Sequence, residues 1–513
     1  MESTTKPPLP YRQLIPIFIA RLTNPLGVAV IYPFLVPMVK QLSGHSDQEH
    51  VGYYTGLMSA APGIGLIIGS IPWGALSDYI GRRKVLLMSF MGPIIGCLLL
   101  GLCRSIWWAI AARGIFGFLD NSLGVIISML AEITKNNTED QRAMVMSLTS
   151  IGYGVGICVG PLVGSFLMDP VNQYPGLFHH DGQIKTFLVT YPFFLPCFSI
   201  VLYSLFAGFI TFFFVEETME DTKKHQHNEE PATFIEETRV KRYSTFESPH
   251  KHTMQRQLPR QNMIQFDCSI FQRMRLALTP PVAHAISKSF LAVCAYLAFE
   301  VLFIVYATCE IPLGGLGFDP VEIAAAMSYL GMIKTFSLAI VVPFLVRCFG
   351  SVRLVWIVFI ILSLCYTLLG MVHYFDVMDT PMVNYAVWIS LIGLLTPIAS
   401  LSSSTMTVSI VLVNNAARKN SPSLLGTTNG LEQFAVQCGR VVGSTAPTLF
   451  WGMFQDASWI PSSSRSTFPW GVLAIFNIAI AIWGVRMNPK DYEDNDTQSK
   501  NAANGCQRDN NNA

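Results

Sequence analysis

The stretch Gly74-Ala75-Leu76-Ser77-Asp78-Tyr79-Ile80-Gly81-Arg82-Arg83-Lys84 is a charged reversal between two apolar runs, each long enough to cross a bilayer. Its glycines permit a tight turn, its basic cluster resists transfer across a membrane, and Asp78 stands where it can meet a helix N-terminus or one of those cations. The stretch reads as a cytoplasmic loop joining two membrane helices. It sets the sidedness of the whole chain.

Outward from this loop, the composition agrees. Of 513 residues, 51% are hydrophobic and 13% charged, against ~25% charged in ordinary soluble domains. This implies an integral membrane protein in contact with lipid, and the long apolar segments that follow make it all-α. A formal net charge of +1 leaves no global basic field and so no expectation of a nucleic-acid partner. The 11 cysteines are scattered singly, from Cys97 to Cys506, without a Cys-x-x-Cys pair. Neither a structural metal, a cofactor nor a disulfide framework is expected.

A crossing takes ~20 mostly apolar residues. Twelve segments qualify: 13–39, 51–75, 84–103, 106–132, 142–168, 189–214, 281–308, 321–347, 353–373, 381–414, 423–453 and 467–487. The tenth and eleventh are rich in Ser, Thr, Gly and Asn and give the weakest hydropathy signal. An even number puts both termini on one side. Arg82, Arg83, Lys84, Arg142, Arg347, Arg353, Arg418, Lys419 and Arg486 fall on that side, which the positive-inside rule makes cytoplasmic. The expected organisation is a cytoplasmic tail over 1–12, a six-helix half over 13–216, a cytoplasmic loop over 217–280, a second half over 281–487 and a disordered cytoplasmic tail over 488–513.

The central loop turns abruptly to Lys, His, Glu, Thr and Gln, as in Lys223-Lys224-His225-Gln226-His227. Its histidines lack an ordered ligand spacing, so a solvated linker is expected rather than a metal site. The sequons at Asn136 and Asn495 lie on the cytoplasmic face and read as chance matches. The termini carry no lipidation or retention signal, which leaves plasma and vacuolar membranes equally open. The halves echo each other: Asp78-x-x-Gly81-x-x-Lys84 follows the second crossing, and Arg347-x-x-Gly350-x-x-Arg353 follows the eighth. Such a duplication suits transporters that rock one half against the other.

Gly74-x-x-x-Asp78-x-x-Gly81-Arg82-Arg83 resembles the signature loop of the major facilitator superfamily, with Tyr79 where that family usually has arginine. Arg113-Gly114-x-x-Gly117 resembles the family's helix-4 arginine motif. Gly156-x-x-x-Gly160-Pro161-x-x-Gly164 resembles the helix-5 motif associated with antiporters. Arg21-Leu22-Thr23-Asn24-Pro25, Tyr191-Pro192-Phe193-Phe194-Leu195-Pro196, Phe214-Val215-Glu216-Glu217-Thr218 and Ile311-Pro312-Leu313-Gly314-Gly315-Leu316-Gly317-Phe318 look like the zinc-induced-facilitator-like branch of the 12-spanner drug:proton antiporters and its fungal relatives. Asn24 replaces an expected acid, and the plant members' N-terminal cysteine motif is missing. The resemblance implies two pseudo-symmetric six-helix bundles, a monomer, a small-molecule substrate and protons as partners. Proton-coupled antiport of a small organic molecule, metal chelate or drug is the first expectation. An uncoupled facilitator or a membrane sensor of the same fold is the alternative. No clustered reactive set suggests an enzyme.

Ionisable groups inside crossings are costly, so each is a functional candidate. Arg21, Arg113, Asp120, Glu132, Glu300, Lys334, Glu432 and Arg440 qualify. Arg113 and Asp120, seven residues apart, fall on nearly one face of a continuous helix. Asp120 and Glu300 are the expected proton carriers, with Arg113 as modulating cation; a permanently ionised Arg–Asp pair tying helices together is the competing reading. Asn429, Glu432, Gln433 and Arg440 form a polar stripe at helical spacing, with Gln437 at its margin. With Arg21, Asn24 and a solitary Lys334 they are expected to line the substrate cavity, an interhelical hydrogen-bond network being the alternative for the stripe. Glu132 joins Gly74, Asp78, Gly81, Arg82 and Arg83 as the gating group.

Overall fold

The computed structural model describes residues 10–44, 48–134, 137, 139–177, 182–218, 274–375, 381–420, 425–455, 465–487 and 491–492. The histidine-bearing part of the central loop, both sequon asparagines and most of the two tails lie outside the described residues. Among the described residues, twelve long helices carry the fold: α1 (Tyr11–Ser43), α2 (Gln48–Ile80), α3 (Arg82–Gly101), α4 (Ile106–Ile133), α5 (Glu139–Leu167), α6 (Phe194–Phe214), α7 (Pro280–Thr308), α8 (Pro320–Phe349), α9 (Ser351–Leu369), α10 (Pro381–Asn420), α11 (Leu425–Gln455) and α12 (Thr467–Val485). All but α11 are long and apolar enough to span by composition alone. The polar stripe on α11 lowers its hydropathy, and protein neighbours cover its buried members Glu432 and Gln437.

Several helices are segmented where the sequence disfavours continuous winding. Pro33 sits in a 3₁₀ turn, Tyr32–Phe34, that offsets the last part of α1. In α8 a π-type turn, Ser337–Val341, precedes Pro343. The most consequential break is in α4, where Ile106–Leu119 and Ser122–Ile133 meet at Asp120, whose φ −91° and ψ 88° are not helical. Arg113 and Asp120 therefore do not share one face of a continuous helix.

The opening stretch is more helical than its composition suggests. Helix α2 continues through Ile80, because Leu76 and Ile80 still pack against the apolar cluster around Leu86, Ile126 and Met129. The reversal contracts to Gly81 alone, at φ 104°. Gly350 makes the same junction between α8 and α9 at φ 75°. In both, a left-handed residue with extended ψ hands one helix to the next, a conformation open mainly to glycine.

Helix α7 is the most enclosed: 83% of its most apolar window is buried, against 33% for α6. Phe206, Phe209 and Phe213 of α6 are exposed, as suits a lipid-facing helix. Within the first half the glycine motif of α5 receives α1. Positions 156, 160 and 164 face Pro25, Ala29 and the Val30 carbonyl with no room for a Cβ, while Pro161 sits inside the unbroken helix. The two halves meet along α2 with α11 and α5 with α8, and α8 also touches the 3₁₀ turn of α1. These seams bring small residues together: Gly56 against Thr448, Gly154 against Thr335, and Gly331 against Cys158.

Candidate functional site

Between the halves lies a cavity walled by α1, α2, α4, α5, α7 and α11. Its polar lining is Asn24, Tyr32, Ser59, Arg113, Tyr153, Gln437, Arg440 and Ser444. Val28, Ile31, Met58, Leu66, Phe116, Leu297 and Val301 give it an apolar body. Glycine brings the walls close: Gly156 of α5 abuts Pro25 of α1, next to Asn24, and Gly117 abuts the Pro62 carbonyl of α2.

Asp120 stands just behind this wall. It is 3% exposed and its carboxyl accepts from Asn24 Nδ2 at 2.7 Å, from Ser122 Oγ at 2.7 Å and from Ser122 N at 3.2 Å. The last bond caps the second segment of α4, which explains why the helix breaks there: the carboxylate satisfies an orphan N–H that the interrupted ladder leaves behind. All three bonds come from neutral donors. Asn24 supplies a donor where an acid would repel Asp120, giving a physical reason for that departure from the family pattern.

Glu300 is bound differently. It is 1% exposed, accepts from Lys334 Nζ at 2.6 Å and from Tyr296 OH at 2.5 Å, and lies one residue from the cavity-lining Val301. Lys334 also donates to Tyr296 OH at 3.0 Å and sits 4.5 Å from the centre of its ring. Lys334 is thus not solitary: it is the ion-pair partner of Glu300, and Arg113 is not. Arg113 Nη1 donates to the Gly27 carbonyl at 3.2 Å, with the guanidinium 5.5 Å from the Phe116 ring centre. Arg21 lies over Tyr153 at 5.6 Å.

The α11 stripe divides by depth. Gln437 and Arg440 line the cavity. Glu432 is buried and accepts from Ser289 Oγ of α7 at 3.2 Å, an interhelical contact rather than a cavity position. Gln433 is exposed, and Asn429 is half-buried. Lys288, beside Ser289, is 3% exposed and its ammonium has no hydrogen-bond partner among the described residues. Sequence reasoning missed Lys288, although a lysine eight residues into an apolar crossing was itself a signal. Tyr296 and Ser122 were also missed. Their signals were spacing: Tyr296 precedes Glu300 by one helical turn, and Ser122 follows Asp120 by two residues, as in an Asx-type cap.

At the reversal, Arg82 Nε lies 3.3 Å from Glu132 Oε1 and Arg82 Nη1 donates to Ser77 Oγ at 2.9 Å. Arg83 donates to the Phe212 carbonyl and lies over the Phe212 ring. The residues after α6 close over this junction. Glu217 accepts from the backbone N–H groups of Arg82 at 2.9 Å and Arg83 at 3.2 Å, and Thr218 Oγ1 donates to Glu132 at 2.5 Å. A carboxylate at a helix N-terminus meets both unpaired N–H groups and the positive end of the dipole. Any side chain at Gly81 would strike Glu217. Gly74 and Asp78 fall in the last turns of α2, and the Asp78 side chain is outside the described part of the structure.

A twelve-helix bundle in two halves, a cavity between them and an N-cap clasp at the α2–α3 reversal together define a membrane transporter architecture. Residues 17–444 match the Major Facilitator Superfamily, and the chain belongs to that family. It is 25% identical to the Major facilitator-type transporter psiT2 of Psilocybe cyanescens, over 85% of this chain and 83% of that one. It is 23% identical to Protein ZINC INDUCED FACILITATOR-LIKE 1 of Arabidopsis thaliana, over 94% and 92%. The crystal structure of a D-xylose-proton symporter superposes with a TM-score of 0.64 at 14% identity, covering 94% of this chain and 99% of that one.

Proposed function

We propose that this protein is a proton-coupled antiporter of a small organic molecule, in which residues 13–216 and 281–487 rock about the central cavity and Asp120 carries the exchanged proton. The reading rests on one observation above others: Asp120 is a buried carboxyl held only by neutral donors, at a helix break, directly behind the cavity wall. Asp120 makes no ion pair among the described residues, so no fixed partner opposes its taking up a proton. Its anion is satisfied by hydrogen bonds alone, so both protonation states are accessible at modest cost. Asn24 links it to the substrate space, since Asn24 both lines the cavity and donates to Asp120. Glu300 serves instead as half of a fixed ion pair with Lys334.

The clasp of Glu217 and Thr218 on the α2–α3 reversal acts as the gate latch, with Arg82 and Glu132 as its ionic part. The basic reversal faces the cytoplasm in this reading, and the protein works as a monomer. The test is flux in liposomes under an imposed pH gradient. Wild-type protein moves substrate and protons in opposite directions, and Asp120→Asn retains exchange of substrate for substrate but no longer responds to the gradient. Substrate flux in the wild type that leaves the gradient untouched refutes coupling and makes the protein a facilitator, with Asn24 as the residue that distinguishes it.

A further inference from the structure

We infer that the substrate is an organic anion with an apolar body, its carboxylate held between Arg113 of α4 and Arg440 of α11; this rests on the transport reading above. Arg113 and Arg440 line the same cavity from opposite halves, and no carboxylate is among its lining residues. Neither has an ion-pair partner among the described residues, and the Nε of each is buried without an acceptor. Arg21, stacked on Tyr153 of the cavity wall, likewise has Nε and Nη1 unpartnered. Neither nearby acid lines the cavity: Asp120 is held by Asn24 and Ser122, and Glu300 is ion-paired through Oε1 with Lys334 and accepts there from Tyr296, its Oε2 being buried without a hydrogen-bond partner.

Buried positive charge without a counter-ion is expensive, and the guanidinium fork matches a carboxylate bidentately. A cation entering this space meets like charges and no acid. An anion completes the hydrogen bonding of both arginines while its body rests on Phe116, Leu297 and Val301. Because the two arginines belong to different halves, such a ligand is fully compensated only when both walls are drawn onto it, which couples binding to occlusion.

The decisive measurement is equilibrium binding to the purified full-length protein of three matched probes: 2-naphthylacetate, 2-naphthylacetamide and 2-(2-naphthyl)ethylammonium. The carboxylate is expected to bind at least about tenfold more tightly than either analogue, a scale set by one charged hydrogen-bonded contact. Arg440→Gln and Arg113→Gln erase that preference, while Arg440→Lys retains part of it. Should an arginine variant fail to fold, Gln437→Glu, one helical turn from Arg440, supplies an internal acid and abolishes the preference in an otherwise intact cavity. Equal or tighter binding of the ammonium probe, or no discrimination among the three, overturns the inference. Flux separates it from the transport reading: a carboxylate that binds but is not moved leaves the anion site standing and removes transport. An ammonium that is moved does the reverse.

Discussion

The two halves each bury an acid close to the cavity, but they hold it by opposite means. In the first half Asp120 is surrounded by neutral donors and sits at a helix break. In the second, Glu300 lies within an unbroken α7 and is clamped by a lysine and a tyrosine. A carboxylate paired with a cation loses the pair when it takes a proton, whereas one held by amide and hydroxyl groups loses only part of its hydrogen bonding. The comparison separates a group suited to exchange from a group suited to fastening.

The sharpest way to break this contrast is to remove the fastening. Lys334→Met leaves Glu300 buried and uncompensated, and we expect a loss of about 3–5 kcal/mol, the scale for unpairing a buried ion pair. Thermal unfolding in detergent reads it. The double variant Lys334→Met/Glu300→Gln should recover most of the loss. If the single change is silent, the pair is not a fastening and the contrast between the halves fails.

Next in size is Asp120→Asn. Gradient-driven flux is expected to fall by about 100-fold, the lower scale for removing a proton-transferring group, while insertion and unfolding temperature stay near wild type. A pH profile measured across the wild type and variant should be flat only in the variant. A variant with an unchanged profile would move the exchange to another acid, Glu432 being the next buried candidate.

The clasp offers a smaller contrast between the halves. Glu217→Gln keeps shape but removes the charge that caps α3, with an expected cost of about 1 kcal/mol. Amide hydrogen exchange should quicken at Arg82 and Arg83 and remain unchanged around Gly350, the matching junction of the second half. Smallest is Gly154→Ala, which leaves both acids alone and wedges α5 from α8 where Gly154 meets Thr335. A shift of a few-fold in the balance between opposed open states is expected, read as altered labelling of single cysteines introduced in the cavity.

Much of this was legible from the residues. The crossings, the duplicated glycine junctions and the glycine face of α5 follow from hydropathy and from backbone rules that act locally. What stayed hidden depends on which helices touch. Nothing within 34 residues of sequence ties Glu300 to Lys334, and the 96-residue separation of Asn24 from Asp120 is equally opaque. The break in α4 was missed because helical spacing assumes regular winding, while Asp120 draws a backbone N–H out of the ladder. The stripe on α11 was correctly seen as polar, but periodicity gives angle around the axis and not depth, so it did not divide Glu432 from Arg440.

The broken fourth helix places different tasks on two separate rods. Ile106–Leu119 presents Arg113 and Phe116 to the cavity, and Ser122–Ile133 carries Glu132 to the clasp. Asp120 is the coupling between them, since its carboxyl caps the second rod while its own N–H still donates to Phe116 of the first. On the proposed reading, a proton arriving there weakens the cap and so loosens how one rod follows the other. If Asp120 carries the exchanged proton as proposed, the molecule has a clutch at its centre, engaged or slipped by a single hydrogen atom, between the segment on the cavity and the segment at the clasp.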